Sequence, residues 1–323
     1  MKIAFTWDYE LFFGEKSGTV QQCMIQPTKD LLDIAERHQA KFTFFPDAGY
    51  LLHAKKQEDA LPDLKLVLEQ IKSWDLLGHE TGLHIHPHWE DVVYENKEWK
   101  HNTSRYKLSD FNEADVDSII HSYFQEVQQL ISSPINSFRA GGWCVQPFSN
   151  LRAAFLSLGI STDSSVFYGG KNTNVPYNYD FKNAPNRSSW CFDKDILIEN
   201  KNGKFLELPI TSLRYSPLFF WRLFLLGRWN PVRHKPIGNG VPTSGGGSKK
   251  VLLSRYNTFC LSADGYFISQ LEHAVKQAKK EKKRHLVVIG HPKACTLYSL
   301  EKLDLFMSKH KNEIEFVSLN QLK

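Results

Sequence analysis

Gly78-His79-Glu80-Thr81-Gly82-Leu83-His84-Ile85-His86-Pro87-His88-Trp89 is the stretch on which the reading of this chain turns. It reads as the third strand of an alternating series, and it ends in three imidazoles. A helical stripe precedes it at Leu64, Val67, Leu68 and Ile71. Another follows at Val116, Ile119, Ile120, Tyr123, Phe124, Val127, Leu130 and Ile131, with Asn112 and Asp115 as a capped start. Upstream lie a strand at Ile3, Phe5 and Trp7, a helix at Leu31, Leu32, Ile34 and Ala35 with Thr28 as its N-cap, and a strand at Lys41 to Phe45. Downstream come strands at Asn136 to Arg139 and Ile160 to Asp163, around a helix at Leu151 to Leu158 that Gly159 closes. The last part repeats the pattern with a helix from Tyr266 to Ala278, a strand at His285 to Ile289 and a helix at Leu300 to Phe306.

Strand and helix in alternation predict a parallel sheet wrapped by crossover helices, here with six or seven strands and so a closed or nearly closed α/β barrel. One domain over 1–323 accommodates it. Residues from about 166 to 250 break the rhythm, hold nine of the 19 glycines and read as an irregular excursion with one strand at Phe205 to Leu208. At 41% hydrophobic and 23% charged residues the chain has the material for a large core, which excludes disorder, collagen and coiled coil. The net charge of +5 is not gathered into blocks that suit a nucleic acid. No secretion signal is read at the N-terminus, and the five cysteines form no CxxC pair, so a reducing, cytoplasmic setting is expected.

In a barrel of this kind catalytic groups lie at the C-terminal ends of the strands. Asp8 and Glu10, the three histidines, Arg139, Asp163 and His291 all fall at such ends. His84 and His88 share a face both in a strand and in a helical turn, whereas His86 joins them only in a strand. Two or three imidazoles with one carboxylate, from Asp8 or Glu10, would make a zinc-type site with room left for water.

These residues carry a resemblance to the polysaccharide deacetylases of the NodB-homology type, carbohydrate esterase family four. Phe5 to Glu10 stands where that family has T-F-D-D-G, and Lys41 to Phe45 where it has A-T-F-F. Gly78 to His88 matches its G-H-E-I-G-N-H-T-x-x-H motif, Phe138 to Gly142 resembles F-R-x-P, and Val288 to Pro292 resembles its final motif. The likeness covers about 1–165 and 251–323. It departs where Tyr9 replaces the second Asp of the first motif, Gly141 the Pro of the third and Pro292 the Asp after the last His.

The resemblance implies a distorted (β/α)7 barrel and a metal-dependent hydrolase removing an acetyl or formyl group from an amino sugar in cell-surface glycan biosynthesis. Its divalent ion, zinc for preference, would be held by Glu10, His84 and His88. Asp8 would be the base, His291 the acid, Arg139 the partner of Asp8 and Asp163 the partner of His291. A hydrolase of small non-sugar amides and a non-catalytic glycan-binding module are the competing readings. Within the excursion, residues 216–229 mix two Trp and three Phe with Arg222 and Arg228. Such a segment suits either burial over the barrel or the surface of an anionic bilayer, where a peripheral enzyme would meet a lipid-linked sugar. The run Leu218 to Leu226 is too short to span a membrane.

Overall fold

The computed structural model describes residues 1–243 and 248–323. Its centre is β1 (Lys2–Tyr9), whose alternate residues face opposite ways. Ile3, Phe5, Trp7 and Tyr9 join the large core beneath the helices, whereas Ala4 packs with Phe45, Leu208, Val287 and Leu319 in a small separate core. The period of two thus separates an outer packing surface from an inner column.

Parallel pairs carry the sheet round. On one side β1 pairs with β2 (Thr43–Pro46), which pairs with β3 (Glu80–Thr81). On the other it runs in register with β8 (His285–Gly290), Lys2 opposite His285 and Trp7 opposite Gly290. A short β9 (Glu315–Phe316) also meets its first residues. A second sheet runs through β4 (Leu83–Ile85), β5 (Ser137–Ala140), β6 (Thr162–Asp163) and β7 (Phe205–Glu207).

The sheets meet at two seams. A single bridge joins Asp47 to His84, and Thr211 donates its N–H to the Val287 carbonyl at 2.9 Å. With β3 and β4 counted as one interrupted strand, this is a distorted (β/α)7 barrel. Its lower end is closed by polar contacts around Glu80, whose carboxylate accepts from Ser137 Oγ at 2.7 Å, Thr43 Oγ1 at 3.1 Å and the Asn320 N–H at 2.8 Å. Glu80 therefore belongs to the framework.

The helices follow their apolar stripes. In α4 (Glu113–Gln128) Val116, Ile119, Ile120, Tyr123 and Val127 are buried, and Asn112 Oδ1 accepts from the Asp115 N–H at 3.0 Å, as the sequence predicts. Gly159 ends α5 (Arg152–Leu158) in the left-handed conformation, φ 76°, that favours glycine. Thr28 does not cap α1 (Gln26–Arg37): a turn at Gln21–Ile25 runs straight into the helix and leaves Thr28 buried inside it.

The excursion is more ordered than its composition suggests. Trp190–Phe192 lies antiparallel beside β7, and Ser212–Tyr215 forms a hairpin with Asn257–Cys260. Between the hairpin strands run α6 (Pro217–Trp229) and α7 (Lys249–Ser254). Ser216 caps α6 through its hydroxyl, and Phe219 and Phe220 pack on Tyr215, Phe259 and Phe267. Trp221, by contrast, is exposed. Among the described residues no helix is long and apolar enough to cross a membrane.

Candidate active site

The upper rim of the barrel gathers side chains from distant parts of the chain. Asp8 ends the inward-facing row of β1, and Glu10 follows it one step beyond the strand. His84 comes from β4, Arg139 from β5 and His291 from the residue after β8. Asp8, Glu10, His84 and His291, together with Phe12, Phe13, Tyr106 and Trp143, line a cavity of about 350 Å³, with Arg139 buried behind Asp8.

Glu10 is the hub. Its Oε2 lies 2.7 Å from His86 Nε2 and 3.1 Å from His84 Nε2, and the two nitrogens are 3.1 Å apart. The other oxygen, Oε1, accepts from Lys293 Nζ at 2.8 Å. Burial opposes the charge of Glu10, yet Lys293 and the two imidazoles hold its carboxyl well below the usual carboxylate range. His84 Nδ1 donates to the Arg139 carbonyl at 2.8 Å, which in the neutral ring leaves the Nε2 lone pair aimed at Glu10. Two imidazole nitrogens and one carboxylate oxygen converging in this way fit a divalent ion.

His88 does not join this cluster, contrary to the expectation that it pairs with His84. The backbone stays extended through His86, φ −111° and ψ 93°, so the period of two holds and His84 and His86 share a face. Pro87 then opens a 3-10 turn that carries His88 away. The His88 ring stacks on Tyr106 at 5.2 Å and meets Phe13 and His101 edge-on. Burial, with the His86 and His101 imidazoles nearby, pushes it well below the ordinary histidine value. Gly141 makes room for the alternative ligand: a Cβ there would overlap the His86 ring, which accounts for the missing Pro in the third motif. The next two residues, Gly142 at φ 57° and Trp143 at φ 62°, turn in the left-handed region where the chain lines the cavity.

Arg139 is fully buried, and four of its five N–H donors have partners. Its Nη1 donates to Asp8 Oδ1 at 2.9 Å and to Thr6 Oγ1 at 2.8 Å, while Nε and Nη2 hold the Ser164 carbonyl and hydroxyl. The expected contact between Arg139 and Asp8 is therefore present. His291 Nε2 stands 3.7 Å from Asp8 Oδ2 and 3.9 Å from Glu10 Oε1, so acid and base candidates border the same space.

The expected partner of His291 is not. Asp163 lies beneath the rim, where Oδ1 accepts from the Ser165 N–H at 2.7 Å and Glu207 is its neighbour. Burial pushes Asp163 up to about 6 and Glu207 well above its ordinary value. Asp264 takes the predicted role instead, with Oδ2 2.8 Å from His291 Nδ1 and Oδ1 accepting the His291 N–H at 2.7 Å. Burial opposes the imidazolium, but Asp264, with Asp8 and Glu10 behind it, raises His291 to about 9. Asp264 escapes a reading by period because it follows only a short extended stretch, Leu261 to Ala263, held beside β8. Lys293 lies two residues past His291, within a Pro-started turn, and no pattern in the sequence marks it.

No family model matches the chain, and no curated protein matches its sequence. Solved structures do match. A candidate polysaccharide deacetylase from Mycobacterium smegmatis aligns at a TM-score of 0.55 and 14% identity, over 99% of this chain and 88% of that one. PuuE allantoinase aligns at 0.53 and 11%, again over 99% and 88%. A 4-alpha-glucanotransferase from Thermococcus litoralis aligns at 0.51 and 10%, over 99% of this chain and 38% of that longer one. The likeness is one of fold, shared by proteins of three different names, so the chemistry has to be argued from the site.

Proposed function

We propose that this chain is a metal-dependent hydrolase that removes an N-acyl group, acetyl or formyl, from an amino sugar. The observation that carries the proposal is the convergence of Glu10, His84 and His86 within 3.1 Å of one another, flanked by Asp8 on Arg139 and His291 on Asp264. A divalent ion held by Glu10, His84 and His86 would supply a Lewis acid for the acyl carbonyl and ease the ionisation of a water.

The remaining roles belong to the chain. Asp8, oriented by Arg139, accepts the proton of the attacking water as its oxygen bonds to the acyl carbon. His291, protonated and held by Asp264, donates to the nitrogen as the C–N bond breaks, because an amide nitrogen does not leave as an anion at neutral pH. The products are a carboxylic acid and the free amine. Lys293 fixes one oxygen of Glu10 and leaves the other for the ion. The aromatic wall of Phe12, Phe13, Tyr106 and Trp143 supplies ring faces of the kind that pack on a sugar, which favours an amino sugar over a small linear amide. Retention of base, acid and metal donors together speaks for catalysis over glycan binding alone.

Zinc is the first ion to test and a cell-surface glycan precursor the first substrate class. Elemental analysis of purified protein, joined to acetate and formate release from N-acylated glucosamine oligomers, tests the reading. One ion per chain and acid release that Asp8→Asn abolishes are expected. Sugar binding without release in the metal-loaded protein would favour the glycan-binding module.

A further inference from the structure

Between Glu207 and Asp264 the chain carries eight of its 40 Lys and Arg and none of its 35 Asp and Glu, so without this stretch the protein would be net acidic. The stretch is the one that builds α6 and α7. Arg222, Arg228, Lys249, Lys250 and Arg255 are exposed and form no ion pair among the described residues.

Large apolar side chains stand among these cations. Positions 218, 221, 222, 225, 228 and 229 of α6 follow the spacing of a single helix face, opposite the buried Phe219 and Phe220. On that face Leu218 is 59% exposed, Trp221 46% and Trp229 72%. Trp221 ties α6 to α7 by donating its indole N–H to the Leu253 carbonyl at 3.1 Å, and it packs on the exposed ring of Phe224. Next to α7 Tyr256 is exposed under the Arg214 guanidinium at 4.5 Å.

Tryptophan and leucine interleaved with unpaired arginine, and no acid anywhere along the stretch, match one environment in both its parts. The headgroup region of an anionic bilayer takes aromatic rings at the depth of the acyl boundary, while arginine reaches back to phosphate. A polyanion would leave the tryptophans wet, and an apolar protein groove would leave the cations without partners. We propose that the α6–α7 face docks the protein on the surface of an anionic membrane. The chain between the two helices also lines the catalytic cavity at Pro242 and Thr243, so docking would bring the cavity mouth towards the lipid. The docking itself is independent of the reaction proposed above and is read without any substrate.

Co-sedimentation with phosphatidylcholine vesicles, with and without about 30% phosphatidylglycerol, tests it. The intact protein should bind the anionic vesicles at least about tenfold more tightly and be released by salt. Replacing two cations that form no side-chain hydrogen bond or ion pair among the described residues, R222Q/R228Q, should weaken binding about tenfold, and W229S severalfold, with unchanged melting temperatures. Equal binding to both vesicles, or full binding by R222Q/R228Q and W229S, would overturn the proposal. So would a dimer in solution that W229S makes monomeric while neither vesicle is bound, since a second copy would then cover the face.

Discussion

At the scale of single residues the site turns on which imidazoles face Glu10. Positions four apart coincide in a strand and in a helical turn, so the run His84 to His88 could not by itself separate His86 from His88. Pro87 decides, and Gly141, more than 50 residues away in sequence, confirms it by leaving room for the His86 ring. His86→Ala and Gly141→Ala should therefore each lower metal affinity about 10–100-fold, whereas His88→Gln should keep the ion. Elemental analysis after dialysis distinguishes these outcomes. For His291 the sign is fixed by Asp264: a histidine raised to about 9 stays protonated below that pH and loses its proton above it. Activity should fall on the alkaline side near pH 9, and Asp264→Asn should move that limb to lower pH, as a rate profile would record. Asp8, Arg139 and His291 were legible because each ends a strand of clear period. Asp264 and Lys293 were not, because they sit in turns whose place is set by β8 and β1 and not by their own neighbours.

At the scale of elements, β6 and β7 bury two carboxyls side by side, Asp163 and Glu207. Burial raises both, and the neighbouring Asp163 charge and hydrogen bond raise Glu207 further, so in the folded state they hold protons that the unfolded chain has already lost. Such groups cost nothing below the ordinary carboxylate range and subtract stability as the pH rises from about 4 towards the folded value of about 6 for Asp163. Glu207→Gln should accordingly raise stability at pH 8 by on the order of 2 kcal/mol and flatten its pH dependence, measured by denaturant unfolding between pH 4 and 8. β7 itself was readable from Phe205 to Leu208 despite the irregular composition round it. α6 was readable as an apolar and cationic stretch, but its division into a buried Phe219–Phe220 side and an exposed Trp221–Trp229 side needed the tertiary packing.

At the scale of the whole molecule, the two sheets are joined near the site by one bridge, Asp47 to His84. An ion gripping Glu10 of the first sheet and His84 and His86 of the second would fasten that seam from above. Saturating zinc should raise the melting temperature by about 5 °C over chelated protein, as calorimetry would show, and His84→Ala should abolish the difference. A further consequence follows from the position of β1, which takes β8 and β9 as neighbours although they are made last. Glu10 and Lys293, which grip one another at 2.8 Å, are 283 positions apart. On the ribosome, at about 5–20 residues per second, the first strand waits tens of seconds for its neighbours. Until His291 and Lys293 emerge, Asp8 lacks the imidazole across from it and Glu10 its lysine partner. On the proposed reading the nascent chain would be chemically silent, and the site would switch on only as the barrel closes.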